Sequence, residues 1–284
     1  MEQSNYYTVT SAADDNYAEC LGVTLISLLN NTGQARRISV QIIDGGISAG
    51  NKENLRQIAD YFHTNINFIT IDRSLFNHIY LAEHEDSHHI SETAYYRLLL
   101  PHVIDPSIER FLYIDCDAII KTDVTALWEQ ELDGAVLAAA ENFGGVERRS
   151  VLDIPYSYGY FNSGILMINA RQWRESRITE KVVSFIKNNE DKMYYHDQDG
   201  LNAILYSQRK ELHPRWNTMT SMFTDKLPAD RYGKKVIEAI SSPAIVHFTG
   251  PAKPWHLDCP HPYKHEYKYY LMFFQSIVQT VLPN

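Results

Sequence analysis

Ten residues near the middle of the chain, Phe111-Leu112-Tyr113-Ile114-Asp115-Cys116-Asp117-Ala118-Ile119-Ile120, set the tightest constraint on what it can fold into. The run has the length and apolar character of a buried strand, yet it carries two carboxylates. Burying both without partners is prohibitively costly. In an extended chain, residues two apart project to one side, about 7 Å apart along the backbone, so both side chains can converge on one cation. A single divalent metal resolves the burial problem. The alternative left by the residues alone is that one Asp caps the next element while the other forms an ion pair.

Strand-like runs recur at 6–12, 38–43, 66–71, 111–120, 136–140, 164–169 and 244–248. Between them lie segments with helical spacing: Ala18, Leu21, Leu25 and Leu28; Leu55, Ile58 and Phe62; Ile178, Val182, Phe185 and Ile186; Leu201 and Leu205. This alternation predicts an α/β fold with a mostly parallel central sheet and helices on both faces. Ligands of such sheets sit outside the carboxyl ends of the strands, so the residues that follow each strand are the candidates for function. A length of 284 residues suits one large domain, expected over 1–255, with an aromatic-rich helical tail over 256–284. That tail holds Tyr263, Tyr267, Tyr269, Tyr270, Phe273 and Phe274 beside Lys264 and Lys268, a mixture suited either to packing on the domain or to touching a membrane surface.

A net charge of −9 argues against nucleic acid as a partner, because phosphate neutralisation needs surplus Lys and Arg. The first ten residues lack the basic start and apolar core of a secretory signal, and no stretch approaches the roughly 18 apolar residues that span a bilayer. Cys20, Cys116 and Cys259 show no C-x-x-C spacing, so the expected compartment is the cytoplasm.

Four further islands carry chemistry. After the first strand comes Ala12-Ala13-Asp14-Asp15-Asn16-Tyr17, more polar groups than one helix cap requires. Ala244-Ile245-Val246-His247-Phe248-Thr249-Gly250-Pro251-Ala252-Lys253-Pro254-Trp255 ends a strand with His, Gly and Lys at short intervals. Imidazole favours a transition metal such as Mn²⁺ over Mg²⁺, Gly250 permits close backbone approach to a ligand, and Lys253 is a point charge suited to phosphate. Tyr160-Phe161-Asn162-Ser163-Gly164 and His196-Asp197-Gln198-Asp199-Gly200-Leu201-Asn202 are polar without being basic, which suits the hydroxyls of a sugar. Read alone, Asp197 also suits the N-cap of the next helix.

Together these residues resemble the glycosyltransferase family 8 enzymes, the retaining group that includes bacterial lipopolysaccharide galactosyl- and glucosyltransferases and glycogenin. The markers are 12–17, His89-Ile90-Ser91 with Tyr95-Tyr96-Arg97-Leu98, Asp115-Cys116-Asp117, Phe161-Asn162-Ser163-Gly164, Asp197-Gln198-Asp199 and His247-x-x-Gly250-x-x-Lys253-Pro254-Trp255, in order over about 6–255. The resemblance implies a GT-A nucleotide-diphospho-sugar transferase fold and a UDP-hexose donor. It places Asp115, Asp117 and His247 on Mn²⁺, with Mg²⁺ as the substitute. Ala12, Asp14, Asn16 and Tyr17 would bind uridine, Tyr17 by stacking on the base, with Cys116 contributing backbone near the ribose. Gly250 and Lys253 would meet the diphosphate. Arg97, Asn162, Asp197 and Gln198 would hold the donor sugar, with His89 also counted among the donor-binding residues. Gln198, Asp197, Asp199 and Arg97 form the implied catalytic group. Glu141 departs from the Asp usual in the family, which leaves galactose and glucose both open.

The implied acceptor is a glycan or glycolipid met on loops such as 143–158, with the tail at the inner membrane surface. Alternatives carried from the sequence are a self-glycosylating priming protein of the glycogenin type and a non-catalytic sugar-nucleotide binder. A phosphatase built on the Asp-x-Asp pair is disfavoured, because the pair lies mid-chain and Ala118-Ile119-Ile120 follows it.

Overall fold

The computed structural model of the protein describes residues 6–71, 93–223 and 229–279. Among these residues the strands are β1 (Tyr7–Ala13), β2 (Ile38–Asp44), β3 (Asn65–Thr70), β4 (Arg110–Ile114), β5 (Ala118–Ile120), β6 (Leu137–Glu141), β7 (Phe161–Asn169), β8 (Arg209–Glu211), β9 (Thr218–Met219) and β10 (Ile245–His247). The α-helices are α1 (Ala18–Asn31), α2 (Ala49–Phe62), α3 (Thr93–Tyr96), α4 (Leu100–Val103), α5 (Arg148–Val151), α6 (Ala170–Glu175), α7 (Ile178–Asn188), α8 (Asp197–Leu205), α9 (Ala229–Ser241) and α10 (Lys264–Gln279).

Seven strands form the central sheet in the order β3-β2-β1-β4-β7-β6-β8. All run in one direction except β7, which pairs antiparallel with both β4 and β6. The mostly parallel sheet expected from the alternating pattern is therefore present, with one reversed strand that the pattern did not reveal. The strand order runs outward from β1 to β2 and β3, then returns to β4 on the other side of β1. This reversal opens a crevice at the carboxyl ends of β1 and β4, where an α/β sheet binds its ligands.

Alternate residues of the same strands feed two separate cores. Leu112 and Ile114 of β4, with Ile165 and Met167 of β7, pack under α1, α2 and α10. Phe111, Tyr113, Leu166 and Ile168 pack against Trp173 of α6, Ile178 and Val182 of α7, and Leu201 of α8. Burial on both faces is why these strands read as unbroken apolar runs.

Helix α1 is apolar nearly all round and lies inside the molecule, with every residue from Cys20 to Leu29 buried. Its polar side chains reach the backbone at the sheet's edge: Thr24 Oγ1 lies 2.8 Å from the carbonyl oxygens of both Cys116 and Ala118, and Asn31 Nδ2 donates to Ile120 O at 2.9 Å. Asn31 also meets Tyr270 Oη of α10 at 2.6 Å, and Lys121 pairs with Glu266. The aromatic tail thus packs on the domain through Tyr267, Tyr270 and Phe274.

Two strand expectations require correction. The run 111–120 is not one strand: β4 ends at Ile114, β5 begins at Ala118, and Asp115-Cys116-Asp117 is the irregular crossing between two sheets. The physical reason is that the flanking halves hydrogen-bond to different partners, β4 to β1 and β7 and β5 to β10. Residues 161–163, read as an island before a strand beginning at Gly164, lie inside β7, where Asn162 and Ser163 are buried among apolar neighbours.

Gly22 of α1 fixes the approach of α10, because a Cβ there would stand 2.6 Å from Cε2 of the Phe274 ring. Gly22→Ala is expected to lower stability by about 1–3 kcal/mol, the usual cost of overpacking a filled core. The check is the urea midpoint, read beside the wild type at unchanged slope.

Candidate functional site

Three backbone contacts assemble the site. Asp115 N–H donates to Gly164 O at 2.8 Å, which continues the β4–β7 pairing past the end of β4. Phe248 N–H donates to Asp117 O at 2.9 Å, and β10 pairs with β5 so that His247 faces Ala118. One crossing segment is therefore held from both sides. Asp115, Asp117 and His247 consequently converge, their ligand atoms all within 4.8 Å of one another. His247 Nε2 lies 3.2 Å from Asp117 Oδ1 and 3.6 Å from Asp115 Oδ2. Its other nitrogen, Nδ1, is 3.0 Å from Asn217 Oδ1.

Each carboxylate has a cation beside it. Lys253 Nζ donates to Asp117 Oδ2 at 2.5 Å and to Phe248 O at 2.7 Å. Burial works to raise the Asp117 carboxyl, but the Lys253 ammonium and His247 override it and hold the group far below the usual carboxylate range. Arg97 sits in the turn between α3 and α4, with its guanidinium 4.7 Å from the Tyr113 ring centroid. Its Nη2 is 3.1 Å from Asp115 Oδ1, its Nε is 3.0 Å from Asp197 Oδ2, and it donates to Ser163 O. Tyr113 Oη adds a bond of 2.7 Å to Asp115 Oδ1.

Burial pushes the Asp197 carboxyl up to about 6, against the pull of Arg97. Among the described residues, Arg97 and Lys253 are the Arg and Lys side chains paired with Asp115, Asp117 and Asp197, with His247 beside the first two. Two carboxylates, an imidazole nitrogen and an excess of acid over base make a donor set that fits a divalent transition metal.

Asp197 is not the N-cap of α8. That position is His196, in the left-handed half of the map at φ 49° and without a side-chain cap bond, while Asp197 opens the helix and turns its carboxylate to Arg97. Gln198 Oε1 accepts from Asn162 Nδ2 and Ser163 N, each at 3.0 Å, and its Nε2 donates to Tyr160 Oη at 3.0 Å. Asp199 is saturated: it accepts from Arg148 Nε and Nη2, Tyr160 Oη, and the backbone N–H groups of Tyr194 and Tyr195.

Of the remaining sequence candidates among the described residues, most lie at or just beyond the carboxyl end of β1, with Cys116 in the crossing and Gly250 beyond β10. Ala12 is buried in β1. Asp14 caps the short turn Asp15–Tyr17, accepting from Asn16 N and Tyr17 N, so the capping role is real. Asn16 is exposed beside it. Tyr17 stands edge-on to Trp255 at 6.0 Å, and burial pushes its phenol up against the pull of the Lys253 ammonium. Cys116 lies within the crossing, its carbonyl bonded to Thr24. Gly250 is exposed at φ +84°, a conformation L side chains rarely adopt. His89 lies outside the described residues.

Sequence reasoning gave no role to Asn217, Tyr113, Tyr160 or Arg148. Tyr160 and Tyr113 stood within the quoted runs 160–164 and 111–120 without a role of their own, Arg148 lay in the loop 143–158 named only for the acceptor, and Asn217 lay in a stretch without a motif. Glu141 ends β6, its carboxyl raised by burial, and a Cβ on Gly159 would stand 2.8 Å from its carboxyl carbon. The absent side chain at 159 makes room for a Glu there.

The model of the family described as Glycosyl transferase family 8 matches residues 8–259. General stress protein A of Bacillus subtilis (strain 168) is 42% identical, over 96% of each chain. The lipopolysaccharide 1,2-glucosyltransferase of Escherichia coli (strain K12) is 26% identical over 93% of this chain and 77% of its own. Among solved structures, galactosyltransferase LgtC in complex with donor and acceptor sugar analogs superposes with a TM-score of 0.84 at 26% identity, covering 98% of both chains.

Gly164 is the tightest point of the site, since a Cβ there would stand 2.2 Å from His247 Cε1 and 2.5 Å from Asp115 Oδ2. Gly164→Ala is expected to displace one of these side chains and, if Asp115, Asp117 and His247 hold a divalent cation, to lower its affinity by at least about tenfold, with the fold retained. Calorimetric titration of the metal-free protein, alongside its circular dichroism spectrum, checks this.

Proposed function

The chain belongs to glycosyl transferase family 8, and on that premise we propose that it is a retaining hexosyltransferase. It takes galactose or glucose from a UDP-sugar and gives it to a glycan or glycolipid acceptor. The observation that carries this reading is the convergence of Asp115, Asp117 and His247 from two sheets, with Lys253 and Arg97 beside them. When bound by Asp115, Asp117 and His247, Mn²⁺ supplies Lewis-acid stabilisation of charge on the departing diphosphate.

The chain's own residues divide the rest of the work. Tyr17, with Asp14, Asn16 and Ala12, receives the uridine at the carboxyl end of β1, and the Cys116 backbone lies near the ribose. Lys253, its pKa raised by Asp117 despite burial, keeps its positive charge for the diphosphate, with Gly250 allowing close approach. Arg97, Asn162, Asp197 and Gln198 hold the hexose, and Arg97 keeps Asp197 oriented by direct contact.

We favour front-face displacement, in which the acceptor hydroxyl attacks on the side that the diphosphate leaves and Gln198 stabilises positive charge at the anomeric carbon. The rival is a covalent glycosyl-enzyme on Asp199 or another nearby carboxylate; at Asp199 five donors occupy the carboxylate, which leaves a poor nucleophile there. The family relatives include both a glucosyltransferase and a galactosyltransferase, so the hexose is read as either.

Among the described residues no helix is long and apolar enough to cross a membrane. We place the protein in the cytoplasm, with the α10 face carrying exposed Tyr269 and Met272 as its contact with the inner membrane surface.

The test is UDP release over a panel of UDP-sugars with Mn²⁺, with and without glycan acceptors. UDP-glucose or UDP-galactose should stand out, and Asp117→Asn, His247→Ala or excess EDTA should abolish turnover. Lys253→Ala should cost roughly 2–4 kcal/mol in transition-state stabilisation, a kcat/KM loss of 30-fold or more by about that conversion. Gln198→Ala should lower kcat far more than it weakens UDP binding. An α-linked product, read from the anomeric proton coupling, is expected, whereas full activity in EDTA or a β-linked product would overturn the proposal.

A further inference from the structure

Two buried side chains, Asn217 and Asn162, join His247 to Gln198, and the direction of every bond along the series can be deduced. The deduction starts from β7. Gly164 N–H donates to Asn162 Oδ1 at 3.0 Å, and Ser163 N–H donates to Gln198 Oε1 at 3.0 Å. A backbone N–H can only donate, so both amide oxygens are located by chemistry and not by choice of flip. With its oxygen so fixed, Asn162 accepts from Asn217 Nδ2 at 2.8 Å. Asn217 therefore turns its own oxygen to His247, and an amide oxygen only accepts, so the imidazole carries a proton on Nδ1. Nε2 is then the nitrogen that faces Asp115 and Asp117 and is open to a metal.

Beyond Asn162 the polarity continues in the same sense. Asn162 Nδ2 donates to Gln198 Oε1, Gln198 Nε2 to Tyr160 Oη, and Tyr160 Oη to Asp199 Oδ1 at 2.7 Å. The series ends on a carboxylate already held by Arg148. Asn217 is fully buried and Asn162 and Gln198 nearly so, which leaves no bulk water to replace a lost partner.

We infer that Asn217 is a positioning residue with two separable tasks: its oxygen holds His247 in the tautomer a metal requires, and its amide group polarises Asn162 and, through it, Gln198. The inference rests on the metal-dependent transfer proposed above and adds to it a residue outside the metal ligands and the donor contacts. Metal site and sugar site are thereby one hydrogen-bonded unit, with its direction set by the backbone of β7.

Asn217→Leu and Asn217→Asp separate the two tasks. The probes are Mn²⁺ titrated calorimetrically into metal-free protein and steady-state transfer from the preferred UDP-hexose, with melting temperature read in parallel. Asn217→Leu should weaken Mn²⁺ binding by about 10- to 100-fold, the range seen when a residue supporting a metal ligand is lost. Asn217→Asp keeps an acceptor on His247 but loses the donor to Asn162. It should hold Mn²⁺ affinity within about threefold while kcat falls about tenfold or more at nearly constant donor KM. Should Asn217→Leu not fold, the isosteric Asn217→Asp decides alone. Wild-type Mn²⁺ affinity in Asn217→Leu, or joint loss or joint retention of metal and kcat in Asn217→Asp, overturns the inference while leaving the transferase reading intact. Wild-type protein that transfers hexose yet gives no Mn²⁺ isotherm removes the metal reading and the inference together.

Discussion

Charge compensation for two carboxylates at a buried crossing is the constraint on which the rest of this structure depends. Asp115 and Asp117 lie where the chain leaves the seven-stranded sheet for the three-stranded one. There they meet Arg97, from the turn between α3 and α4, and His247 and Lys253, from the end of β10 and the segment after it. Removing one partner of such a group leaves an uncompensated charge, and that costs far more than the pair contributes when whole. The site is therefore also a structural joint. Arg97 spans Asp115, Asp197 and Ser163, and so ties β4, α8 and β7 together through one guanidinium.

The fold supports this joint by keeping its surroundings apolar and tightly filled. The central strands are buried on both faces, and α1 lies beneath the crossing with Thr24 bonded to the Cys116 and Ala118 carbonyls. Small residues stand where larger ones would collide: Gly164 beneath His247 and Asp115, Gly145 against Tyr160, and Gly159 against Glu141. These close approaches hold the polar side chains in single arrangements, which is what preorganised stabilisation of a leaving group demands. The tail helix joins the same system, since Trp255 packs between Tyr17, beyond the carboxyl end of β1, and Tyr267 of α10.

Much of the architecture was legible because it depends on local properties. Apolar runs bounded by turn residues marked seven strands, and spacing by threes and fours marked α1, α2, α7 and α8. The candidate metal ligands were legible for a related reason: Asp115 and Asp117 interrupt an apolar run, and His247 ends one. The reversal of β7 was hidden, since a strand buried on both faces carries no sign of its direction. So was the break at 115–117, because an apolar run continues through two sheets as readily as through one. Short β8 and β9 offer too few residues for any periodicity.

The amino-acid sequence by itself determined which residues are extended, which are helical, and where polar groups interrupt apolar ones, because these follow from side-chain chemistry over a few neighbours. Only the tertiary structure decided who meets whom. Asn217 reaches His247 across 30 residues, Lys253 reaches Asp117 across 136, and Thr24 reaches Cys116 across 92. Asn217 carries no local mark of its contact with His247, since an Asn beside a Trp reads the same on a surface turn as in a buried site. The contact arises when β9 pairs with β10 and β7 pairs with β4, and it sets the imidazole of His247, the amides of Asn217 and Asn162 and the N–H of Gly164 within hydrogen-bonding distance of one another in series.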